Sequence, residues 1–537
     1  MSWPKAALLS LSDKRGAAEF ARALAKGGTR IIASGGTARH LEEQGIAVTP
    51  VEAWTRSPEL LGGRVKTLHP NVHAPILARR AQASDLETLA DLGLEPIDLV
   101  AVTLYPFEER APALDDAGAI EEIDIGGVAL LRAAAKNHAD VIVVHDPDQY
   151  PAVIRALESG SVAPERRREW AVGTFARTAR YDAAIAAELA RRAGGDDAPP
   201  VHVVALERVR SLRYGENPHQ EAALYAAVGK AVELDAWKEG KELSYNNLLD
   251  LEAAVSLVGR FEGPACVIVK HGEPCGAAMG ATLAAAYEAA LHSDDVSAYG
   301  GIVALNRPLD GATARLVAKQ YVECVAAPAL AGEAEEAFKS KKNVRLLKLA
   351  AEDVEASDPW ALRVVGRWAL LQRDRGDPVP PWKVVTGRAP TEEEGAGLRF
   401  AWAVVAAARS NAIAIAGGTA LIGLGSGQTS RVDAVDVAIM KARRAGHDLA
   451  GAVLASDGFL PFADNIEHAA AAGAAAAAHA AVRHRHLRIA QGLEQVGAGL
   501  DLDDSAQRLD QHVHATNDRH GHEISQEDPG YKLYHSQ

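Results

Sequence analysis

AALLSLSDKRG, residues 6–16, sets a six-residue apolar run against a polar turn that ends in glycine. TRIIAS (29–34), DLVAVTLY (98–105) and DVIVVHD (140–146) repeat the apolar run, and GAAEFARALAKGG (16–28) and IGGVALLRAAAKNH (125–138) are amphipathic stretches among them. Short apolar runs bounded by turn residues predict buried strands, and apolar residues at helical spacing predict helices. Their alternation predicts a parallel sheet with crossover helices, an α/β fold. Such sheets bind ligands at the carboxyl ends of their strands. SLSDKRG (10–16), SGGT (34–37) and TLYPF (103–107) all follow strand-like runs.

Further along, residues 150–193 read as mostly helical and close a first domain, 1–193. GGDDAPP (194–200) reads as a linker. VHVVALERV, ACVIVKHG, GGIVALN, AIAIAGGTALIGL and GAVLASDG then alternate with alanine-rich helical stretches, α/β again, in a second domain over 201–478. Residues 479–537 are polar and histidine-rich, and the last thirty or so lack apolar periodicity, which predicts weak folding.

At 537 residues the chain exceeds one core, so about two to four domains are expected. A formal net charge of −14 argues against nucleic acid or an anionic membrane as partner, so an anionic substrate must be caught by local cationic pockets. Cys266, Cys275 and Cys324 fit neither a disulfide framework nor a CxxC metal pair, which predicts a reducing cytoplasm. The apolar run near the N-terminus is too short for a signal or spanning segment. GxxxxGK[ST] and GxGxxG are absent, so a P-loop or Rossmann site has no support. HVHATNDRHGH (512–522) reads as a histidine-rich tract rather than a metal site.

Two strings carry most of the chemistry. LLGGRVKTLHP (60–70) packs Arg64, Lys66, Thr67 and His69 against a glycine pair, suited to gripping phosphate with cations and backbone N–H groups together. SLRYGENPHQ (211–220) gathers Arg213, Tyr214, Asn217 and His219 around a Gly and a Pro. Ser10, Ser12, Lys14 and the Ser34-Gly35-Gly36-Thr37 loop add hydroxyls, backbone donors and a cation for a phosphate. Tyr105, Asp124 and Lys136 are candidates for proton transfer. In the second half, Lys270 and His271 at a strand's carboxyl end suit an oxyanion stabiliser and a proton carrier. Ser426, Gly427 and Gln428 suit a tight anion-binding turn, with Arg431 as a bidentate partner, and Phe459 and Phe462 could wall a flat ring. The plainer reading makes Lys14 and Lys136 solvated lysines, Asp124 a helix cap, Lys270 and His271 a solvent-facing pair, and the phenylalanines core.

Taken in order from about Ala6 to about Gly473, SDK, SGGTA, GGRVKTLHP, LYPF, IDIGG, AAKNH, LRYGENPHQ, LSYNNLLD, KHGEPCG, SAYGG, SNAI, GQTSR and SDGFLPFAD resemble the bifunctional purine-biosynthesis family with AICAR formyltransferase and IMP cyclohydrolase activities. The resemblance implies a methylglyoxal-synthase-like parallel-sheet domain, then a duplicated cytidine-deaminase-like formyltransferase region. It also implies a homodimer with formyltransferase sites across the subunit interface. The substrates implied are AICAR and its formylated product FAICAR, with 10-formyltetrahydrofolate as co-substrate; neither reaction needs a metal. By the same resemblance His271 manages the proton, Lys270 stabilises charge on the formyl oxygen, and Asn411 positions the reacting groups. Arg213, Tyr214, Gly427, Gln428 and Arg431 hold the nucleotide, and Phe459 and Asp464 line the pocket. In the cyclohydrolase, Lys66, Tyr105, Asp124 and Lys136 stabilise the oxyanion and move protons, while Ser10, Ser12, Lys14, Ser34, Gly35, Gly36, Thr37, Arg64 and Thr67 bind the ribonucleotide.

This chain departs from the family at Glu273, where Asn or Ser is usual, at Arg409 for Lys, at Tyr299 for Phe, and at Leu460 for Phe. A carboxylate at 273 that points inward raises the pKa of His271. The family's QPGGS-like turn and closing tail have no counterpart after 478, as a shifted reading frame or a replaced C-terminus predicts. Reading the coding DNA in all frames tests this. A second reading follows from that ending: a cyclohydrolase whose second domain is only a nucleotide-binding or dimerisation module.

Overall fold

The computed structural model describes residues 3–194, 198–227, 234, 236–238, 241–354, 360–373, 382–384, 388–458, 460, 464–480 and 487–491. They fall into two compact units divided between Leu206 and Glu207, a few residues beyond the stretch read as a linker.

In the first unit, β1 (Ala6–Leu11), β2 (Arg30–Ala33), β3 (Thr49–Pro50), β4 (Leu99–Thr103) and β5 (Ile142–Val144) form one sheet in the order β3-β2-β1-β4-β5. Every pairing is parallel. The four quoted runs became β1, β2, β4 and β5; β3, two residues long, carries too little pattern to be read. Leu8 and Leu9 are both 0% exposed, each stabilising the fold by about 2 kcal/mol through removal from water. Both are buried although neighbours along a strand point to opposite faces, so both sides of the sheet are covered. The long helix Pro164–Ala193 packs on the helix Gly126–Lys136 and on β5.

The second unit holds β6 (Leu206–Leu212), β7 (Ala222–Ala227), β8 (Ala236–Lys238), β9 (Ala265–Lys270), β10 (Glu273–Met279), β11 (Ile302–Leu305), β12 (Cys324–Ala327) and β13 (Arg345–Lys348). After these come β14 (Trp360–Val365), β15 (Trp368–Arg373), β16 (Trp382–Val384), β17 (Ile413–Gly417), β18 (Ala420–Gly425), β19 (Val453–Ser456), β20 (Ala476–Ala480) and β21 (Leu487–Gln491). Twelve of them make one mixed sheet, β16-β21-β20-β19-β17-β18-β10-β9-β11-β12-β13-β8. Its centre reads the same from either side. β9–β10 and β17–β18 are antiparallel hairpins joined through the antiparallel pair β10–β18. β11 and β19 flank them antiparallel, and β12 and β20 follow in parallel.

The helices obey the same repeat. Each half opens on a helix with a capping box, Tyr245–Val258 behind Ser244 and Glu392–Ala406 behind Thr391. Each hairpin is followed by another capped helix, Leu283–Ser293 behind Thr282 and Arg431–Arg444 behind Ser430. These second helices lie so close to the hairpins that a Cβ on Gly276 stands 2.1 Å from the Ala290 carbonyl oxygen, and one on Gly423 stands 2.2 Å from that of Ala438. The second unit is a duplication visible in topology.

Two strands stand near the end of the described chain. Alanine favours helices, yet Ala476–Ala480 is a strand paired between β19 and β21, because a sheet position buried on both faces overrides propensity. Residues 487–491, in the polar, histidine-rich tail but before its final thirty residues, form β21, paired to β20 and β16. The final thirty residues, and with them the histidine-rich tract, lie outside the described residues.

Candidate active sites

At the carboxyl edge of the first sheet the predicted phosphate-binding residues meet. Ser10, near the end of β1, and Ser34, which follows β2, bring their hydroxyls to 3.0 Å. Thr37 reaches back to the end of β1, accepting the Leu11 N–H at 2.8 Å and donating to its carbonyl at 3.2 Å. Ser12 and Lys14 lie on the following turn, tied by the Ser12 N–H to the Thr103 carbonyl at 3.2 Å. Gly35 and Gly36 open the helix Gly35–Glu43, whose N-terminus offers N–H groups to an anion. A Cβ on Gly35 stands 3.3 Å from Lys66 Nζ, so this loop and the RVKTLHP stretch are adjacent. The glycine pair before them serves a tight turn: Leu61, Gly62 and Gly63 all have positive φ, 53°, 64° and 103°.

Sequence spacing missed what the cations touch. Lys66 Nζ lies 3.0 Å from Glu59 Oε2, and the Arg64 guanidinium pairs with Glu121. Thr67 Oγ1 stands beside Gly126, where a Cβ would lie 2.7 Å away. One residue further, Asp124 accepts the Gly127 N–H at 2.7 Å, so it does cap the first turn of the helix Gly126–Lys136. Burial pushes the Asp124 carboxyl up, against the lowering pull of the Gly127 and Tyr105 N–H groups. Its loop is fixed by a residue the sequence did not flag: the buried Tyr181 hydroxyl accepts the Asp124 N–H at 2.8 Å and donates to the Glu122 carbonyl at 3.2 Å. Tyr105 joins through its backbone, with its side chain half exposed. Lys136 does not join Asp124: it ends the helix Gly126–Lys136, about 15 Å along the axis from its start at 1.5 Å per residue.

A second cluster forms where the two halves of the second unit meet. The β9–β10 turn carries Lys270 and His271, and the antiparallel pairing Ala278↔Ala420 runs the start of β10 toward the end of β18. Glu273 opens β10 and turns toward Arg409, its carboxylate accepting the Arg409 N–H at 3.3 Å and lying 3.4 Å from Nε. Glu273 and Arg409, two positions singled out in the sequence, thus form a pair. The Arg409 carbonyl accepts the Gly427 N–H at 2.7 Å, and Asn411 Nδ2 donates to the Gln428 carbonyl at 3.0 Å. Lys270, His271, Asn411, Gly427 and Gln428 are thus brought together.

Lys270 Nζ donates to the Tyr299 carbonyl at 2.6 Å. Arg431 begins the helix Arg431–Arg444 and gives its guanidinium to Asp457 and, at 2.8 Å, to Ser456. Burial acts to raise the Asp457 carboxyl, but Ser410, the Ala412 N–H and Arg431 outweigh it and hold it below the usual carboxylate range. Asp464 begins the helix Asp464–Ala472 and accepts from Asn465. Arg213 lies over the Tyr214 ring at 5.4 Å, on a turn whose Glu216 carbonyl accepts from Asn246 at 3.3 Å. Phe459 and Phe462 lie outside the described residues. Among the described residues no group of three or more acidic, histidine or cysteine side chains is placed to hold a metal ion.

The AICARFT/IMPCHase bienzyme family matches residues 134–441, and the MGS-like domain matches residues 16–129. The bifunctional purine biosynthesis protein PurH of Myxococcus xanthus (strain DK1622) is 47% identical over 480 residues, covering 87% of this chain and 93% of that protein. PurH of Cyanothece sp. (strain PCC 7425 / ATCC 29141) is 46% identical over 508 residues, covering 92% and 97%. That of Chloroflexus aurantiacus is 47% identical over 475 residues, covering 87% and 91%. With both clusters in place and likeness of this extent along both units, the chain belongs to the AICARFT/IMPCHase bienzyme family.

Proposed function

We propose that the second unit transfers a formyl group from 10-formyltetrahydrofolate to AICAR, and that the first closes the product, FAICAR, to IMP. The family makes the chain a bifunctional formyltransferase and cyclohydrolase using a folate-type co-substrate. A second unit without formyl transfer is not favoured, since the likeness to the PurH proteins runs through it.

The observation carrying the formyl-transfer reading is the meeting of the Lys270–His271 turn with Asn411 and the Gly427–Gln428 turn through the Glu273–Arg409 pair. The AICAR amino nitrogen attacks the formyl carbon, His271 takes its proton, and Lys270 stabilises the oxyanion until the bond to the folate nitrogen breaks and that nitrogen receives the proton from His271. Asn411 positions the reacting groups. Arg213, Tyr214, Gly427, Gln428 and Arg431 hold the nucleotide, and Phe459 and Asp464 line the pocket.

In the first unit the carboxamide nitrogen attacks the formyl carbon of the same molecule and water leaves. Holding the two groups in attack geometry supplies much of the rate. Lys66, Tyr105 and Asp124 stabilise charge and move protons; a carboxyl pushed up by burial is better matched to proton transfer near neutrality. Lys136, which the resemblance assigns to the same step, stands at the far end of the helix Gly126–Lys136 from Asp124. Ser10, Ser12, Lys14, the Ser34–Thr37 loop, Arg64 and Thr67 hold the ribonucleotide, with phosphate taking over the cations from Glu59 and Glu121.

A homodimer is supported by the exposed apolar residues of the β14–β15 ribbon, where Val364, Trp368 and Leu370 are 73%, 77% and 58% exposed. Three unpaired cysteines support a reducing cytoplasm, and no helix among the described residues is long and apolar enough to cross a membrane. Tetrahydrofolate release from purified protein given AICAR and 10-formyltetrahydrofolate tests the first reaction, and IMP formation from FAICAR the second. Absence of either product in fully folded protein refutes the corresponding half.

A further inference from the structure

We infer that Asp250 is a positioning residue for formyl transfer, its carboxylate fixing the backbone of the His271 turn from the helix beneath. This rests on the reading of His271 as the proton carrier. His271 and Gly272 have φ of 56° and 74°, two consecutive residues in the left-handed region. Glycine takes that conformation freely, but histidine does so only where its surroundings impose it. Asp250 supplies the imposition. It is 7% exposed, and its Oδ1 accepts the Gly272 N–H at 2.6 Å. The bond from the Gly272 N–H to this buried anion fixes the peptide plane that follows the His271 Cα, and so helps set the direction in which the imidazole leaves the backbone.

The helix Tyr245–Val258 ties the neighbouring pieces to the same frame. Asn246, one turn before Asp250, donates to the Glu216 carbonyl in the RYGENPHQ turn at 3.3 Å. Residues four apart share a helix face, so one face carries both turns assigned to this reaction. Asn247 donates to Glu323 Oε2 at 2.7 Å, and Glu323 lies 3.7 Å from Arg345. Burial penalises a charge, and burial pushes the Asp250 carboxyl up while the Gly272 N–H pulls it down. A side chain kept only to fill space has no need of that charge.

The test compares Asp250→Ala, Asp250→Asn and His271→Ala in the full chain. Formyl-transfer kcat and the KM for AICAR are measured, with the cyclohydrolase rate and thermal melting as folding checks. We expect Asp250→Ala to lower kcat about 10²-fold while KM stays within about 2-fold, since a misplaced catalytic group costs turnover rather than binding. Asp250→Asn keeps an oxygen for the Gly272 N–H and should regain about 10-fold of the loss. Unchanged kcat in the variants, a KM that rises in step with the loss of kcat, or an Asn variant no better than Ala overturns the inference. If the Ala variant does not fold, the near-isosteric Asn variant decides alone: a kcat reduced several-fold at constant KM supports the inference, and a wild-type kcat overturns it. His271→Ala separates the two levels. Formyl transfer that survives it removes the reading of His271, whereas its loss beside fully active Asp250 variants leaves that reading standing and removes only the role of Asp250.

Discussion

Equivalent corners of the duplicated unit are closed by the same bond and by different residues. In the first repeat Asn306 Oδ1 accepts the Ala265 N–H at 2.8 Å, and its Nδ2 donates to the carbonyls of Phe261 and Gly263 at 2.7 and 2.8 Å. In the second repeat Asp457 Oδ1 accepts the Ala412 N–H at 3.0 Å, and the carboxylate also takes Arg431. The hairpin turns differ in the same sense. His271-Gly272 sits between Lys270 and Glu273, whereas Gly418-Thr419 sits between Gly417 and Ala420. The second turn meets its neighbour through backbone, Met279 N–H to the Thr419 carbonyl at 2.9 Å. The comparison separates two demands. The scaffold needs an acceptor at each corner, which a neutral Asn satisfies; the charged acceptor, Asp457, stands at the end where reactive side chains gather.

The sharpest break between the turns is functional. Lys270→Ala should lower formyl transfer about 10³-fold, whereas Thr419→Ala should leave it within about 2-fold, and cyclohydrolase should be unchanged in both. Steady-state assays of the two activities decide, and equal losses would erase the distinction. The repeats should then look alike where only packing matters. Gly276→Val and Gly423→Val each push a side chain into a helix carbonyl and should each destabilise the second unit by about 3 kcal/mol or more in urea unfolding. A smaller effect follows at the charged corner. Arg431→Ala leaves Asp457 half-buried without its guanidinium and should cost about 2 kcal/mol.

The smallest effect is acid sensitivity. Because the folded-state pKa of Asp457 is depressed, its stabilisation is present above the ordinary carboxylate pKa and is lost as pH falls through the folded value, below about pH 4. Asp457→Asn should flatten that part of the stability curve, while Asn306→Ala should lower stability equally at every pH. Denaturant midpoints across pH 3–6 distinguish them, and a curve unaltered by Asp457→Asn would contradict the assignment.

Legibility in the sequence followed these physical divisions. The first sheet could be read because strands covered on both faces are continuous apolar runs, as in DLVAVTLY. AIAIAGGTALIGL read as one run, although Gly418 at φ 59° folds it into a hairpin. β10, EPCGAAM, could not be read as a strand: Pro274 and its small residues suppress the pattern, and the small residues serve the close approach of the helix Leu283–Ser293. The duplication was legible only through the family resemblance and not in the residues themselves, since corresponding segments share shape but few residues. In the candidate sites, RVKTLHP and KHGEPCG advertised their chemistry. Their partners did not, because Glu121 lies 57 residues from Arg64, and Glu273 lies 136 residues from Arg409. Asp250, within a helix, and Tyr181, on another, looked like any buried polar residue until the backbone groups they hold were in place.

All three cysteines sit in the second unit, on β9, β10 and β12, and all are buried and unpaired. Burial pushes the Cys275 and Cys324 thiols up to about 12, and moves Cys266 in the same direction. The thiolate is the form that alkylating reagents attack, so the folded chain shields these sulfurs twice, by access and by protonation. Labelling by a thiol reagent therefore clocks the opening of the second unit alone, an intrinsic probe to which the first unit is silent.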